Sequence, residues 1–324
     1  NIIGSPDNAT KVSNITAAGG VVCGVNANSS QFIGGVTCDS NVSNSNITLN
    51  NVSNSNLTNS SIIGAVVTNN STINSSNITQ SAVKDSNITN SNATNVKLDN
   101  VTITSSNLTA KENTPGQNVS VTDEDLVIND VTIKDSNLTL AHATGNASAN
   151  VTLSNMGNLH IENTNLTLST AEKGNSFVNL SFDKLTIDND VVGSKSESGN
   201  ATAIIHAKGD GSNSTGGING NFIGSVTNSG NANTSIILEK NTTINGNVTG
   251  SNSTSGNATT TLSVTNGAEL KGNVVGAASQ TGNAVTNITL ESAANIAGNV
   301  TGSVTSQGNA TAVITAGGDA SDKG

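Results

Sequence analysis

The sequence predicts an all-β solenoid, with short five-residue-sided coils followed by coils of about 26 residues. Three observations carry that prediction. An apolar residue recurs every five positions through the first third of the chain, a longer unit repeats through the last third, and the composition lacks the large side chains of an ordinary globular core. Four segments follow: an N-terminal cap with a disulfide over 1–40, five-residue repeats over 41–114, an irregular solenoid over 115–186, and long coils over 187–324.

The five-residue series runs Ile47, Val52, Leu57, Ile62 and Val67, slips by one residue to Ile73, and continues through Ile78, Val83, Ile88, Ala93, Leu98, Ile103 and Leu108. Two residues before most of these centres stands a small side chain, as at Ser45, Ser55, Ser60, Ala65, Ser76 and Ser91. The residue directly before is very often Asn. No helix or flat strand has a period of five, and one such unit cannot bury its apolar face alone, so the units must stack.

The unit Ser-Asn-(Ile/Leu/Val)-Thr-x resembles the pentapeptide-repeat family over roughly residues 41 to 110. The resemblance implies a right-handed, four-faced β-solenoid with the apolar centre and the small residue pointing inward. The chain departs from that pattern by using Ser rather than Ala and having almost no aromatic residues, which implies a thinner and more polar core.

The longer unit begins at Ile218, Ile244, Leu270 and Ile296, with a looser copy at Ile187 set about 31 residues upstream, close to one additional five-residue side. Its alternating apolar positions, such as Leu262 and Val264, predict strands with one face in and one out. Gly250, Gly256, Gly276 and Gly282 are expected at corners, through positive φ or close backbone approach. Asn247, Asn273 and Asn299, and likewise Asn257, Asn283 and Asn309, fall in register and predict ladders of asparagines, some in left-handed conformation. The turn signal at Thr114-Pro115-Gly116 marks the expected boundary between the two repeat types.

Charged residues make up 10 % of the chain, the net charge is −10 without an acidic or basic run, and Arg, Tyr and Trp are absent. Phosphate-directed nucleic-acid binding is thereby excluded. A polysaccharide-cleaving solenoid is also disfavoured, for want of basic groups and aromatic platforms. The chain starts at Asn1 and has no long apolar stretch, so the expectation is an extracellular or cell-surface protein that has lost a signal peptide and does not insert in a membrane. In that compartment Cys23 and Cys38, in the similar frames GGVVCGV and GGVTCDS, are expected to form a disulfide, stapling an end where no repeat phase is established.

Asn-x-Ser/Thr sequons occur about thirty times. The repeat spells them automatically when Asn precedes the apolar centre and Thr follows it, and both residues should then face outward. The candidate acceptors for N-linked glycans are Asn14, Asn46, Asn56, Asn77, Asn87, Asn107, Asn137, Asn200, Asn247, Asn257, Asn299 and Asn309.

No catalytic residue, cofactor or metal is expected. His142, His160 and His206 are far apart in sequence and read as ordinary solvent-facing residues. Asp188, Asp190 and Asp210 carry oxygens at a spacing usable for Ca²⁺ but follow neither the EF-hand nor the glycine-aspartate repeat pattern. The function expected is structural, a secreted protein polymerising with itself into a sheath, surface layer or filament. The alternatives are an adhesin, an ice-binding solenoid and, last, a nucleic-acid mimic, for which the faces carry Asn and Thr instead of dense negative charge.

Overall fold

The computed structural model describes residues 1–4, 10–112, 117–126, 128–152, 160–182, 186–209, 217–291 and 293–317. The regular structure of these residues is entirely β, in parallel strands. This is a β-solenoid. The chain divides into two compact units: the first is Asn1–Lys111, Leu126–Leu138 and Gly157–Glu162, the second Glu112–Asp125, Thr139–Met156 and Asn163–Gly324. The turn at Thr114-Pro115-Gly116 lies outside the described residues.

In the first unit each residue pairs with one about a coil later. Cys23 lies beside Cys38, Val52 beside Val67 and Asn92 beside Asn107, a spacing of 15 residues. Three five-residue sides therefore close a coil, in place of the four faces that the pentapeptide resemblance implies. The reason is volume. Each side supplies one Ile, Leu or Val and one small residue, and three such sides enclose a narrower lumen than four, which suits a core with almost no aromatic side chains. All thirteen apolar centres of the series are at most 2 % exposed.

The phase begins earlier than the sequence suggests. Thr10–Ser13 pairs with Val25–Asn28, and Val22, Ala27 and Phe32 are buried in the same five-residue step. The segment around the cysteines is thus ordinary coil. Where the series slips by one residue, Asn69 and Asn70 both take positive φ, 56° and 57°. The register then becomes 16, with Ser55 and Ser60 reached by Ser71 and Ser76. The insertion is absorbed in a corner, and no centre leaves the core.

Corners explain the sequence unit. The residue after the Thr or Ser that follows each centre adopts a left-handed conformation at Asn44, Asn54, Asn59 and Asn90, with φ between 47° and 50°. Asn tolerates this region because its side chain can bond locally, so it dominates the variable position. The serine that follows points inward. Its hydroxyl donates to the carbonyl two residues back and accepts the backbone N–H of the serine one coil earlier. Ser76 Oγ, for example, donates to Asn74 O (2.8 Å) and accepts from Ser60 N (3.1 Å). One such column runs Ser30, Ser45, Ser60, Ser76, Ser91, Ser106. Alanine has no hydroxyl to satisfy these buried groups, which accounts for Ser over Ala.

The second unit also has three sides per coil, of unequal length. One coil comprises Val248–Ser253, Ala258–Val264 and Glu269–Leu270. The next pairs with it at 26 residues, Val274 beside Val248 and Ala284 beside Ala258. In the 31-residue coil the same three strands recur, Val191–Ser196, Ala201–Ala207 and Gly217–Ile218. The additional residues fall between Ala207 and Gly217, where 210–216 lie outside the described residues, so no described strand adds a fourth side.

The four glycines noted in the sequence act by close approach, since none of them has positive φ. Gly250 and Gly276 are not corners; they lie inside strands. A Cβ on Gly276 would stand 2.2 Å from Thr286 Cγ2 and 2.4 Å from Gly302 O. Gly256 and Gly282 are turn residues whose Cβ would strike the glycine carbonyl of the preceding coil at 2.1 and 2.3 Å. Beside the inner glycines the core is polar. Thr260 Oγ1 donates to Gly276 O (2.6 Å), and it lies 3.0 Å from Ser251 Oγ, which itself donates to Thr259 O (2.6 Å).

Candidate functional site

Among the described residues no three or more His, Cys, Asp or Glu side chains are grouped to hold a metal ion, and the candidate functional site is the outward surface. On the short strands of the first unit the residues flanking a buried centre point out, and in both units each outward position becomes a column with one rung per coil, about 4.8 Å apart.

In the first unit the Asn columns bond side chain to side chain. Asn41 Nδ2 donates to Asn26 Oδ1 (2.8 Å) and Asn56 Nδ2 to Asn41 Oδ1 (2.9 Å). A second column runs Asn77, Asn92, Asn107, Asn137, at 3.2, 3.0 and 2.9 Å. In the second unit the ladder is of another kind: Oδ1 of each Asn accepts the backbone N–H of the Asn one coil later. One column runs through Asn118, Asn146, Asn175, Asn200, Asn231, Asn257, Asn283 and Asn309, with every step between 2.7 and 2.9 Å. Another links Asn221, Asn247, Asn273 and Asn299 and starts at Asp190, whose Oδ1 accepts from Asn221 N (2.7 Å). The second unit's ladder asparagines are absent from the positive-φ positions, so its ladders need no left-handed residue.

The twelve candidate acceptor asparagines are all exposed. Asn14 sits at a left-handed corner, φ 53°. Asn46, Asn56, Asn77, Asn107 and Asn137 each begin a strand and Asn87 lies within one. Asn200, Asn247, Asn257, Asn299 and Asn309 belong to the second unit's ladders. Cys23 and Cys38 are joined by a disulfide between in-register neighbours, Cα–Cα 4.5 Å.

His142 and His206 differ from the sequence expectation. His142 is half-buried, with Nδ1 2.9 Å from Glu112 and Nε2 3.7 Å from Glu172. His206 Nε2 is 3.5 Å from Glu239. Stacking aligned these groups from positions some 30 residues apart, which sequence distance conceals. His160 pairs in register with Thr132. Asp188 is held by Asn219 Nδ2 (2.5 Å), so both Asp188 and Asp190 serve as ladder ends; Asp210 lies outside the described residues. Lys84 pairs with Asp99 (3.1 Å) and Lys134 with Glu162 (3.0 Å), and in each case the hydrogen bond to the carboxylate raises the lysine above its ordinary value.

A partly open groove in the first unit is lined by Lys11, Ser13, Asn26, Asn28, Asn41 and Ser43. Its amide oxygens are already engaged: Asn28 Oδ1 accepts from Asn44 Nδ2 (2.8 Å) and Asn26 Oδ1 from Asn41. On another column of that unit, Ile33 and Ile63 flank Thr48 in register, 43 % and 42 % exposed. Leu49, at the adjoining corner, is 68 % exposed.

No helix among the described residues is long and apolar enough to cross a membrane. No protein-family model matches the chain, and no curated sequence does. The β-solenoid therefore defines the class of this protein.

Proposed function

We propose that this protein is a structural element of an extracellular sheath, surface layer or filament, built by self-association of a solenoid whose short coils are related in pattern to pentapeptide repeats. The observation that carries the reading is the pair of column types just described: outward rows of Asn, Ser and Thr with one rung per coil. Such rows offer a second copy of the chain a surface of matching period along a whole side. The role is mechanical, without a catalytic step, and the disulfide suits an oxidising exterior.

The apolar stripe of Ile33, Leu49 and Ile63 supplies the strongest sideways contact in this reading, because these side chains stand in water where other columns carry amides. Negative-stain electron microscopy and light scattering of the full chain at rising concentration test it. Ordered tubes, sheets or threads are expected, and the double variant Leu49→Asn, Ile63→Thr should raise the concentration needed to form them. A monodisperse monomer that inhibits ice growth or binds a defined ligand would replace this reading with that of an ice-binding solenoid or an adhesin.

A further inference from the structure

The second unit separates two roles of asparagine that the first unit merges. Its ladder Asn recurs in every coil, as the Oδ1-to-backbone bonds require. The residue two positions on does not keep step. Along one column Ile223, Thr249, Val275 and Thr301 lie in register, so the sequon is complete at Asn247 and Asn299 and broken at Asn221 and Asn273. Along the other, Ser120, Ser148, Phe177, Thr202, Asn233, Thr259, Val285 and Thr311 lie in register. There the sequon is complete at Asn118 and Asn146 on consecutive coils, and from Asn175 onward it alternates, broken at Asn175, Asn231 and Asn283 and complete at Asn200, Asn257 and Asn309. Were the sequon only a by-product of the repeat, every ladder Asn would be followed by Ser or Thr. All these second positions point outward on strands, where Thr, Val and Ile fit alike, so packing does not ask for the alternation.

We infer that the ladder asparagines of alternate coils, Asn200, Asn247, Asn257, Asn299 and Asn309, are N-glycosylation sites, and that the omitted rungs are spacers between glycans. In the transfer, Asn Nδ2 attacks the anomeric carbon of a lipid-pyrophosphate-linked oligosaccharide supplied by the cell. An N–C bond replaces the C–O bond to pyrophosphate, Nδ2 gives up one proton, and the lipid pyrophosphate leaves. The ladder tolerates this product, because its rungs are held by Oδ1. Nδ2 of Asn200, Asn257, Asn299 and Asn309 makes no hydrogen bond among the described residues. Asn247 Nδ2 also donates to Asn221 Oδ1 (3.2 Å), and its glycosylated amide keeps one N–H for that bond.

Spacing supplies the reason for skipping coils. Successive rungs are about 4.8 Å apart, narrower than a sugar ring with its hydration, whereas alternate rungs are about 10 Å apart and give each chain its own lane. The sequons of the intermediate coils, at Asn179, Asn233, Asn241 and Asn287, lie in other columns, Asn233 and Asn287 beside Thr259 and Thr261. In the first unit, by contrast, Asn77, Asn92, Asn107 and Asn137 complete sequons on consecutive rungs. Neighbouring rungs there are only about 4.8 Å apart, too close for a glycan on each, so that row is not filled rung by rung.

This inference rests on the extracellular part of the proposed function. Peptide mass spectrometry of the secreted full chain, with enzymatic glycan release in heavy-oxygen water to mark each formerly occupied Asn, reads every site. Occupancy is expected at the five named sites, and at no two consecutive rungs of the Asn77-to-Asn137 column on one molecule. Bare asparagines at all five, or glycans on consecutive rungs of that column, would overturn it. The variant Val275→Thr completes a sequon at Asn273 between two occupied rungs. It should add no third full glycan mass, and full occupancy at Asn247, Asn273 and Asn299 together refutes the spacing argument. Electron microscopy of the same material separates the two readings, since unglycosylated but assembled protein overturns this inference alone. Glycosylated protein that stays monomeric upholds it and removes the coat.

Discussion

Replacing Ser76 by Ala puts the hydroxyl columns to a direct test. Ser76 is 3 % exposed, donates to Asn74 O at 2.8 Å and accepts from Ser60 N at 3.1 Å. The substitution removes one oxygen from a buried corner and leaves the Ser60 N–H without its acceptor, in a place water does not reach. An unsatisfied buried donor costs about 1–3 kcal/mol, and no gain in apolar packing offsets it, because Ala adds no surface. The first unit should lose about that much in urea titrations followed by far-ultraviolet circular dichroism, and the Ser60 amide should exchange with solvent markedly faster. The reverse experiment exists in the same corner geometry. Ala65 donates its N–H to Ser81 Oγ (3.1 Å) but has no hydroxyl to offer Asn50, one coil earlier. Ala65→Ser should therefore stabilise by about 1 kcal/mol. If Ser76→Ala is neutral and Ala65→Ser destabilises, the columns only fill space and the account of Ser over Ala is wrong.

Gly276→Ala forces a methyl group to within 2.2 Å of Thr286 Cγ2 and 2.4 Å of Gly302 O, so a loss of about 3 kcal/mol is expected in the second unit, read as a lower thermal midpoint. Cys38→Ser opens a link across 15 residues and should cost about 3 kcal/mol in the chain-entropy account; intact mass with and without reductant checks that the bond is present beforehand. The raised lysines set an alkaline limit. Because folding raises the pKa of Lys84 and Lys134, their pairing is fully present below the ordinary lysine value and is lost as pH climbs through the raised one. Lys84→Met should leave midpoints near neutral pH almost unchanged, as exposed pairs contribute little, and should flatten the decline at high pH.

Much of the solenoid was legible in the residues because its determinants are local and repeated. The centres from Ile47 to Leu108 announce their own burial, since a period of five has no other way to exclude water. Asn257, Asn283 and Asn309 announce their ladder, because identical positions in stacked coils must meet. The corner serines were visible as small residues, but their hydroxyl bonding was not, because it depends on which carbonyl lies beneath each corner. How many sides close a coil was likewise hidden: a five-residue side fits a triangle or a square, and the volume available to three Ile, Leu or Val side chains decides between them. The coils before residue 41 escaped notice because Thr37 and the cysteines interrupt the apolar phase there, although Thr37 itself is fully buried. Gly276 looked like a corner because sequence shows that a Cβ is missing and not what would strike it. The pairing of His142 with Glu112 and Glu172, and the alternation of complete and broken sequons along one ladder, needed the register. The sequence by itself determined period, inward face and ladder residues; only the tertiary structure decided which distant residues share a rung, because that follows from the length of each closed coil.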